Sequence, residues 1–228
     1  MNFLDVRSIS TPHGDVKTIY INGDVAWTKG ISDNTPTYIK LLKHTMRGSY
    51  KNETATSIGD YAFYSSEKLT RADFVEATSI GEYAFYNCPL LTSVNLPKVT
   101  TIGLYAFAEC LRLTKVNFQS AIEISGRAFD NCSALTTVVL PVATTIGDYV
   151  FDGCDKLSTL ILCSETLCTI ASDLSETLIG EGNGYIYVPS ALINDYKTAD
   201  NWSMHASQFK TIEDNVDIIG GLISWANL

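Results

Sequence analysis

The chain has 228 residues, a length typical of one large domain or two small ones. Its residues are 46% hydrophobic and 18% charged, which provides for a packed core and argues against global disorder. The formal net charge of −9 opposes contact with phosphate backbones, so we expect no nucleic acid partner. No apolar run approaches the ~18 residues of a membrane-spanning helix, so we expect no membrane insertion.

Residues 1–33 are predicted to form an N-terminal β-hairpin module. Asp5 and Arg7 interrupt the apolar run that a secretory signal would need, so cytoplasmic synthesis is expected. Further on, the stretch VKTIYINGDVAW contains two alternating runs around Asn22-Gly23, a dipeptide typical of two-residue hairpin turns. Residues 34–55 then precede the first regular unit, and we expect an atypical capping coil that covers its core edge.

Residues 56–165 consist of five units of 22 residues, without insertion or deletion. A strict period predicts a solenoid in which each unit is one coil stacked on the next. Each unit contains the strand pattern L-x-x-[VLA]-x-[LF], and its other half, as in IGEYAF, indicates a short helix or 3₁₀ turn with an apolar face. A glycine precedes this turn in most units, which suggests a tight bend that a Cβ atom would obstruct. The isoleucines and phenylalanines that mark the period are Ile58, Ile80, Ile102, Ile124, Ile146, Phe63, Phe85, Phe107, Phe129 and Phe151.

The units resemble those of the BspA-like leucine-rich-repeat family, which read roughly SIGxxAFxxCxxLTxVxLP. TSIGEYAFYNCPLLTSVNLPKV, from Thr78 to Val99, shows the match, which covers about half of the chain. The resemblance implies a short leucine-rich-repeat solenoid, an α/β repeat fold. The fourth unit departs from the pattern, because ISGRAF moves the glycine to Gly126 and places Arg127 where other units have tyrosine.

Four cysteines repeat with the period and therefore form one column: Cys88, Cys110, Cys132 and Cys154. We interpret them as buried free thiols, because cysteine packs as a small hydrophobe. A disulfide ladder and a metal site are the alternatives, although metal ligands usually converge on one point. Cys163 and Cys168 lie outside the column and could form a local disulfide.

After Glu165 the repeat ends, and residues 166–214 are predicted to form an α/β C-terminal cap. We expect strands in GYIYVP and FKTIED, with a helix between them that starts at the N-cap Ser190 and runs through Tyr196. The stretch from Gly184 to Glu213 resembles the cap that follows BspA-like repeats in proteins of gut Firmicutes and their prophages. Residues 215–228 form an apolar tail, which either folds back over the cap or contacts a virion partner or a second copy.

No catalytic constellation is found. His13, His44 and His205 lie in separate segments, and no phosphate-binding or nucleophile motif is present. We therefore predict a protein that is not an enzyme and that has no metal and no cofactor.

Two surfaces are candidates for binding a protein or a surface glycan. The first is the outward strand face, whose residues vary between units: Arg71, Asp73, Ser93, Asn95, Lys115, Asn117, Thr137, Val139, Thr159 and Ile161. The second is an aromatic column beside the turn: Tyr61, Tyr83, Tyr105 and Tyr149. Both also have structural explanations, since stacked aromatic residues often only shield the edge of a solenoid.

These observations predict a non-enzymatic binding protein. The IYxNGxxxW hairpin resembles the start of many phage tail-associated proteins, so the resemblance implies a phage or prophage tail protein that recognises a bacterial surface receptor. Such a protein would be made in the bacterial cytoplasm and reside in the virion. The alternatives are a secreted adhesin on the bacterial cell surface that binds host matrix or mucin, and a structural virion decoration protein without a receptor.

Overall fold

The computed structural model describes the backbone of residues 6–10, 16–21 and 24–28, and residues 48–217 and 219–220 in full. The N-terminal strands are β1 (Val6–Ser10), β2 (Val16–Ile21) and β3 (Asp24–Thr28), and they pair antiparallel in that order. Because Ile21 pairs with Asp24, two residues remain for the turn, as the Asn-Gly dipeptide predicted.

The solenoid has two stacks of parallel strands, one on each side of the core. Two-residue strands form the first stack: β5 (Ser57–Ile58), β7 (Ser79–Ile80), β9 (Thr101–Ile102), β11 (Glu123–Ile124), β13 (Thr145–Ile146) and β15 (Thr169–Ile170). Longer strands form the second: β4 (Gly48–Asn52), β6 (Leu69–Phe74), β8 (Ser93–Asn95), β10 (Lys115–Asn117), β12 (Thr137–Leu140), β14 (Thr159–Leu162), β16 (Tyr185–Val188) and β17 (Phe209–Thr211).

The long strands are parallel and follow the coil order. They pair as β4-β6-β8 and β10-β12-β14-β16-β17. Within the regular units, paired residues are 22 positions apart, as with Arg71 and Ser93 or Lys115 and Thr137. Equivalent side chains of successive coils therefore lie beside each other, and every periodic position becomes a column.

Phenylalanines form the centre of the core. Phe63, Phe85, Phe107, Phe129 and Phe151 are buried, and successive rings stack with centroids 4.9 to 5.9 Å apart. The isoleucines of the short strands close the core on one side, and the leucines and valines of the long strands close it on the other. The solenoid and its buried columns confirm the predicted fold class.

The IGEYAF segments are turns, so of the two predicted forms, a short helix or a 3₁₀ turn, the helix does not occur. Alternate backbone N–H groups donate to carbonyls of the next coil, as Tyr83 does to Leu104 (2.9 Å) and Phe85 does to Ala106 (2.7 Å), whereas Tyr86 donates within the turn to Tyr83 (3.2 Å). A helix would need the same donors for its own carbonyls, so stacking and helix formation compete, and stacking prevails.

Buried side chains of the C-terminal cap form hydrogen bonds with backbone groups at the end of the solenoid. Its helical parts are a 3₁₀ turn at Ser190–Leu192, α1 (Ile193–Thr198), and 3₁₀ turns at Ser203–His205 and Glu213–Asn215. The Trp202 indole donates to the Cys168 carbonyl (2.7 Å), and the Tyr196 hydroxyl accepts from the Cys168 amide (2.9 Å).

The prediction that Ser190 caps the cap helix is wrong. Pro189 precedes the first helical turn, and no side chain of that turn makes a capping hydrogen bond. Instead the backbone amide of Ser190 donates to the Glu213 carboxylate (2.9 Å), so an acidic residue 23 positions later supplies the acceptor.

Among the residues described, no helix is both long and apolar enough to span a bilayer.

Candidate recognition surfaces

The outward face of the long-strand stack is polar at its N-terminal end. Arg71, Asp73, Ser93, Asn95 and Lys115 form this polar face. About half of the Arg71 side chain is exposed (47%), and its Nε donates to Asp73 (2.9 Å). Asn95 and Lys115 are exposed, and Ser93 is half-buried. These five predicted binding residues lie together on adjacent strands, although the Asp73 side chain is only 14% exposed and is paired with Arg71.

The C-terminal end of the same outward face is apolar and covered. Val139 and Ile161 are completely buried and Tyr187 is 6% exposed; together they form the apolar patch. The segment that follows β17, of which residues 213–217 and 219–220 are described and which we call the strap, places Ile219 against the patch. The prediction that Val139 and Ile161 face a ligand is therefore wrong for the covered state described here, and the same burial applies to Thr137 (5% exposed).

Asn117 lies at the boundary between the polar face and the apolar patch. It pairs with Val139 on the next strand, whereas Thr159, another predicted binding residue, pairs with Thr137 and is half-buried. Both polar atoms of the Asn117 amide are buried and make no hydrogen bond within the described part of the chain. Such orphaned groups are uncommon in folded proteins, and this one is not open to a ligand without rearrangement.

The tyrosine column is a stack of rings. Tyr61, Tyr83 and Tyr105 lie nearly parallel, with centroids 5.1 and 4.9 Å apart, and Arg127 takes the next place in the column. Its guanidinium lies 4.8 Å from the ring centre of Tyr149 and 6.0 Å from that of Tyr105. Because neighbouring groups cover the ring faces inside the column, a ligand would meet ring edges and hydroxyls there. The column lies together as predicted, but its interior is poorly suited to stacking a sugar.

An acid pair beside Arg127 is a feature that the repeat pattern did not identify. The Arg127 Nη1 lies 3.4 Å from Asp130 and 3.3 Å from Asp152. Burial raises the pKa of the Asp130 carboxyl and Asp152 raises it further, whereas Arg127 lowers it. The equivalent positions in the first two units hold Tyr64 and Tyr86. A comparison of the units in the sequence could therefore have identified the acid pair by the change from aromatic to acidic residues.

The cysteine column consists of free, buried thiols, as predicted. Each thiol donates to the carbonyl of the phenylalanine 25 positions earlier, as Cys110 does to Phe85 (3.2 Å) and Cys132 does to Phe107 (3.1 Å). Burial raises the pKa of both thiols. Cys163 and Cys168 are also free, so the local disulfide is absent. Within the described residues, no group of three or more potential ligands could hold a metal ion.

Comparison with known proteins identifies repeats of one type. A family model described as a BspA type leucine rich repeat region matches residues 52–174 with six copies. The matched range includes β15, whose residues lie 24 rather than 22 positions after their partners in β13. No curated protein sequence matches the chain significantly.

Three solved structures of bacterial leucine-rich-repeat proteins are similar. A leucine-rich-repeat protein of T. pallidum is 20% identical with a TM-score of 0.55, and the match covers 90% of this chain and 94% of that one. The pneumococcal vaccine antigen PcpA is 17% identical with a TM-score of 0.52, covering 72% and 39%. A leucine rich cell surface protein of Faecalibacterium prausnitzii is 21% identical with a TM-score of 0.48, covering 75% and 39%, so the chain spans about two fifths of its length.

Proposed function

Because the chain belongs to the BspA-type leucine-rich-repeat family, we propose that it is a non-enzymatic binding protein that recognises a macromolecule on a bacterial surface through its polar face. One observation carries the proposal: the polar face presents charged and amide groups on a stack of parallel strands whose opposite side is the core. A rigid array of this kind fixes the spacing of hydrogen-bonding groups before a ligand arrives, which lowers the entropic cost of binding.

The size and chemistry of the polar face suit a protein surface or a glycan. The face spans three adjacent strands, which at ~4.8 Å per strand gives a width of about 10 Å between the outer rows. It combines a cation, an anion and neutral hydrogen-bonding groups, and this mixture favours a ligand with both donors and acceptors.

The context that we favour is a tail-associated protein of a phage or prophage. The resemblance of the N-terminal hairpin and of the C-terminal cap to such proteins supports it. A bacterial cell-surface adhesin is the second candidate, and membership of the BspA-type family supports that role equally well at the level of the repeat. A structural virion component without a receptor is the third.

Binding of the labelled full-length protein to intact Gram-positive gut bacteria, beside wells coated with host matrix or mucin, tests the proposal. Saturable binding to particular strains would support the tail-associated role. Binding to matrix or mucin alone would support the adhesin. Binding to none of these surfaces would contradict recognition and leave the structural role.

Variants then test whether the polar face makes the contact. We expect the triple variant Arg71→Ala, Asn95→Ala, Lys115→Ala to lose most of its binding with an unchanged melting temperature. The matched control is Glu76→Ala, Lys98→Ala, which removes an exposed ion pair (2.7 Å) from the loops that follow β6 and β8. Equal binding by both variants would place the contact elsewhere on the molecule.

A further inference from the structure

Among the described residues of the strap, Ile219 is the one whose side chain is buried against the apolar patch. Ile219 is 2% exposed, whereas Val216 is 58% exposed, and Glu213, Asp214, Asp217 and Gly220 are exposed as well. An added Cβ on Gly220 would meet no atom within 4 Å, so the side-chain position there is open. Ile219 is therefore the apolar anchor of the described part of the strap.

The start of the strap is fixed by hydrogen bonds at the surface. Glu213 accepts from the Ser190 amide, Asp214 accepts from the Thr211 hydroxyl, and the Asn215 amide donates to the Thr211 carbonyl (2.8 Å). Water can replace exposed bonds of this kind at small net cost. The segment between Thr211 and Asn215 can therefore act as a hinge about which the strap swings away from the sheet.

The apolar patch is a contiguous apolar surface on the sheet, and Ile219 packs against it. Val139, Ile161 and Tyr187 lie on three neighbouring strands in register, and Ile212 and Cys163 pack at their edge. Contiguous apolar surfaces on a folded protein usually mark an interface. The segment that already packs on the apolar patch is the strap, and every copy of the chain has both the strap and the patch.

We propose that the strap is exchangeable, and that two copies dimerise by each placing its strap on the apolar patch of the other. Reciprocal exchange makes the same contact twice around a two-fold axis, so the dimer closes without leaving a patch uncovered. The intramolecular contact competes at a high effective concentration, so exchange is favoured when copies are crowded. The inference does not depend on the ligand of the polar face.

Two complementary variants test the exchange. Val139→Asp places a charge in the patch and leaves the strap unchanged. Ile219→Asp places a charge on the strap and leaves the patch unchanged. In light scattering over a wide concentration range, we expect each variant alone to be monomeric. Their equimolar mixture should form a heterodimer at least about tenfold more tightly than the wild type dimerises, because no intact intramolecular contact competes.

Controls separate exchange from other causes of association. Val216→Asp changes an exposed position of the same strap and should behave as the wild type. If circular dichroism shows that Val139→Asp is unfolded, Tyr187→Ser replaces it as the patch variant. A mixture that remains monomeric would overturn the proposal. So would a chain lacking residues 213–228 that dimerises more strongly than the wild type, since uncovered patches would then pair directly.

A disulfide trap gives a second readout. Cys163 is half-buried beside the patch and packs with the cluster that contains Ile219, while the other five cysteines are buried. Oxidised at high protein concentration, Ile219→Cys should run as a covalent dimer on a non-reducing gel and as a monomer after reduction. A disulfide confined to single chains under these conditions would contradict exchange.

Discussion

At the scale of single residues, the glycines of the repeat are required by the distance between coils. The sequence pattern suggested a tight bend, but neither Gly81 nor Gly103 has a positive φ. An added Cβ on Gly103 would lie 2.6 Å from the carbonyl carbon of Gly81 in the preceding coil. The left-handed conformation occurs instead at the column residues, for example Tyr83 and Arg127, both with φ 54°. The glycines thus allow the coils to approach, and other residues bend the chain.

We predict that Gly103→Ala lowers the free energy of unfolding by about 2 kcal/mol or more, because the clash is with backbone that cannot move aside. Gly126→Ala is the matched control: its Cβ would lie 3.1 Å from the nearest atom, the carbonyl oxygen of Asp148, and a small shift relieves that contact. Urea unfolding of both variants measures the difference. Equal losses would show that coil spacing does not explain the glycine at position 103.

His205 is a buried acceptor in the cap, and this gives the protein a sensitivity to acid. It is 3% exposed, and its Nε2 accepts from the Leu174 amide (3.1 Å), which requires the neutral ring. Burial lowers the pKa of His205, and the nearby Asp173 opposes that shift only in part. The folded state therefore binds the proton more weakly than the unfolded state.

The stability that neutral His205 contributes is fully present above the unfolded pKa of ~6.5 and is lost as pH falls from there through the lower folded pKa. We expect the wild-type melting temperature to fall more steeply between pH 7 and pH 5 than that of His205→Gln, whose side chain does not titrate. Thermal unfolding monitored by circular dichroism across this range provides the measurement. Parallel slopes for the two proteins would rule out His205 as the source of the acid sensitivity.

At the scale of elements, the columns could be predicted, whereas for the tail the sequence left two alternatives, folding back over the cap or contacting a partner, and did not indicate which residues it would cover. A period of 22 places Cys110 beside Cys132, because an exact repeat leaves each coil no alternative register. By contrast, Ile219 reaches Val139 and Ile161 only because the chain reverses after β17, and no local pattern encodes that reversal. The outward face is therefore exposed at its polar end, as predicted, and buried at its apolar end, and binding by the polar end stays a prediction.

The cysteine column makes a prediction about reactivity. Thiolates react with alkylating reagents, and burial raises the pKa of the column thiols while also blocking access. Under native conditions we expect iodoacetamide to label Cys163, the half-buried thiol, and all six cysteines to be labelled after unfolding. Mass spectrometry of the intact protein counts the labels, and peptide mapping identifies the site. Rapid native labelling of Cys132 would contradict a closed core.

At the scale of the whole molecule, stability should behave as a sum over coils and their contacts. The backbone hydrogen bonds of the regular coils are either internal to a coil or made to an adjacent coil, and the same bonds recur at each step, as in Thr78 to Thr56 and Thr100 to Thr78 (both 2.8 Å). The cap then covers the last coil, where Ile186 pairs with Leu160 and continues the stack. We therefore expect that an internal coil can be deleted without loss of the fold, whereas the cap cannot.

Deleting Ser79 to Thr100 removes one complete coil and joins two equivalent positions, so Thr78 is followed by Thr101 as it was by Ser79. We expect this variant to fold with a native-like circular dichroism spectrum, a lower melting temperature and a particle about 4.8 Å shorter by small-angle scattering. Deleting half a coil, residues 79–89, would bring apolar and exposed columns out of register, and that variant should not fold. Removing residues 184–228 should cause aggregation, because Leu160 and Leu162 would then lie on an open edge of the stack. If the full-coil deletion failed as completely as the half-coil deletion, the coils would form one indivisible unit, and the additive description of this solenoid would be wrong.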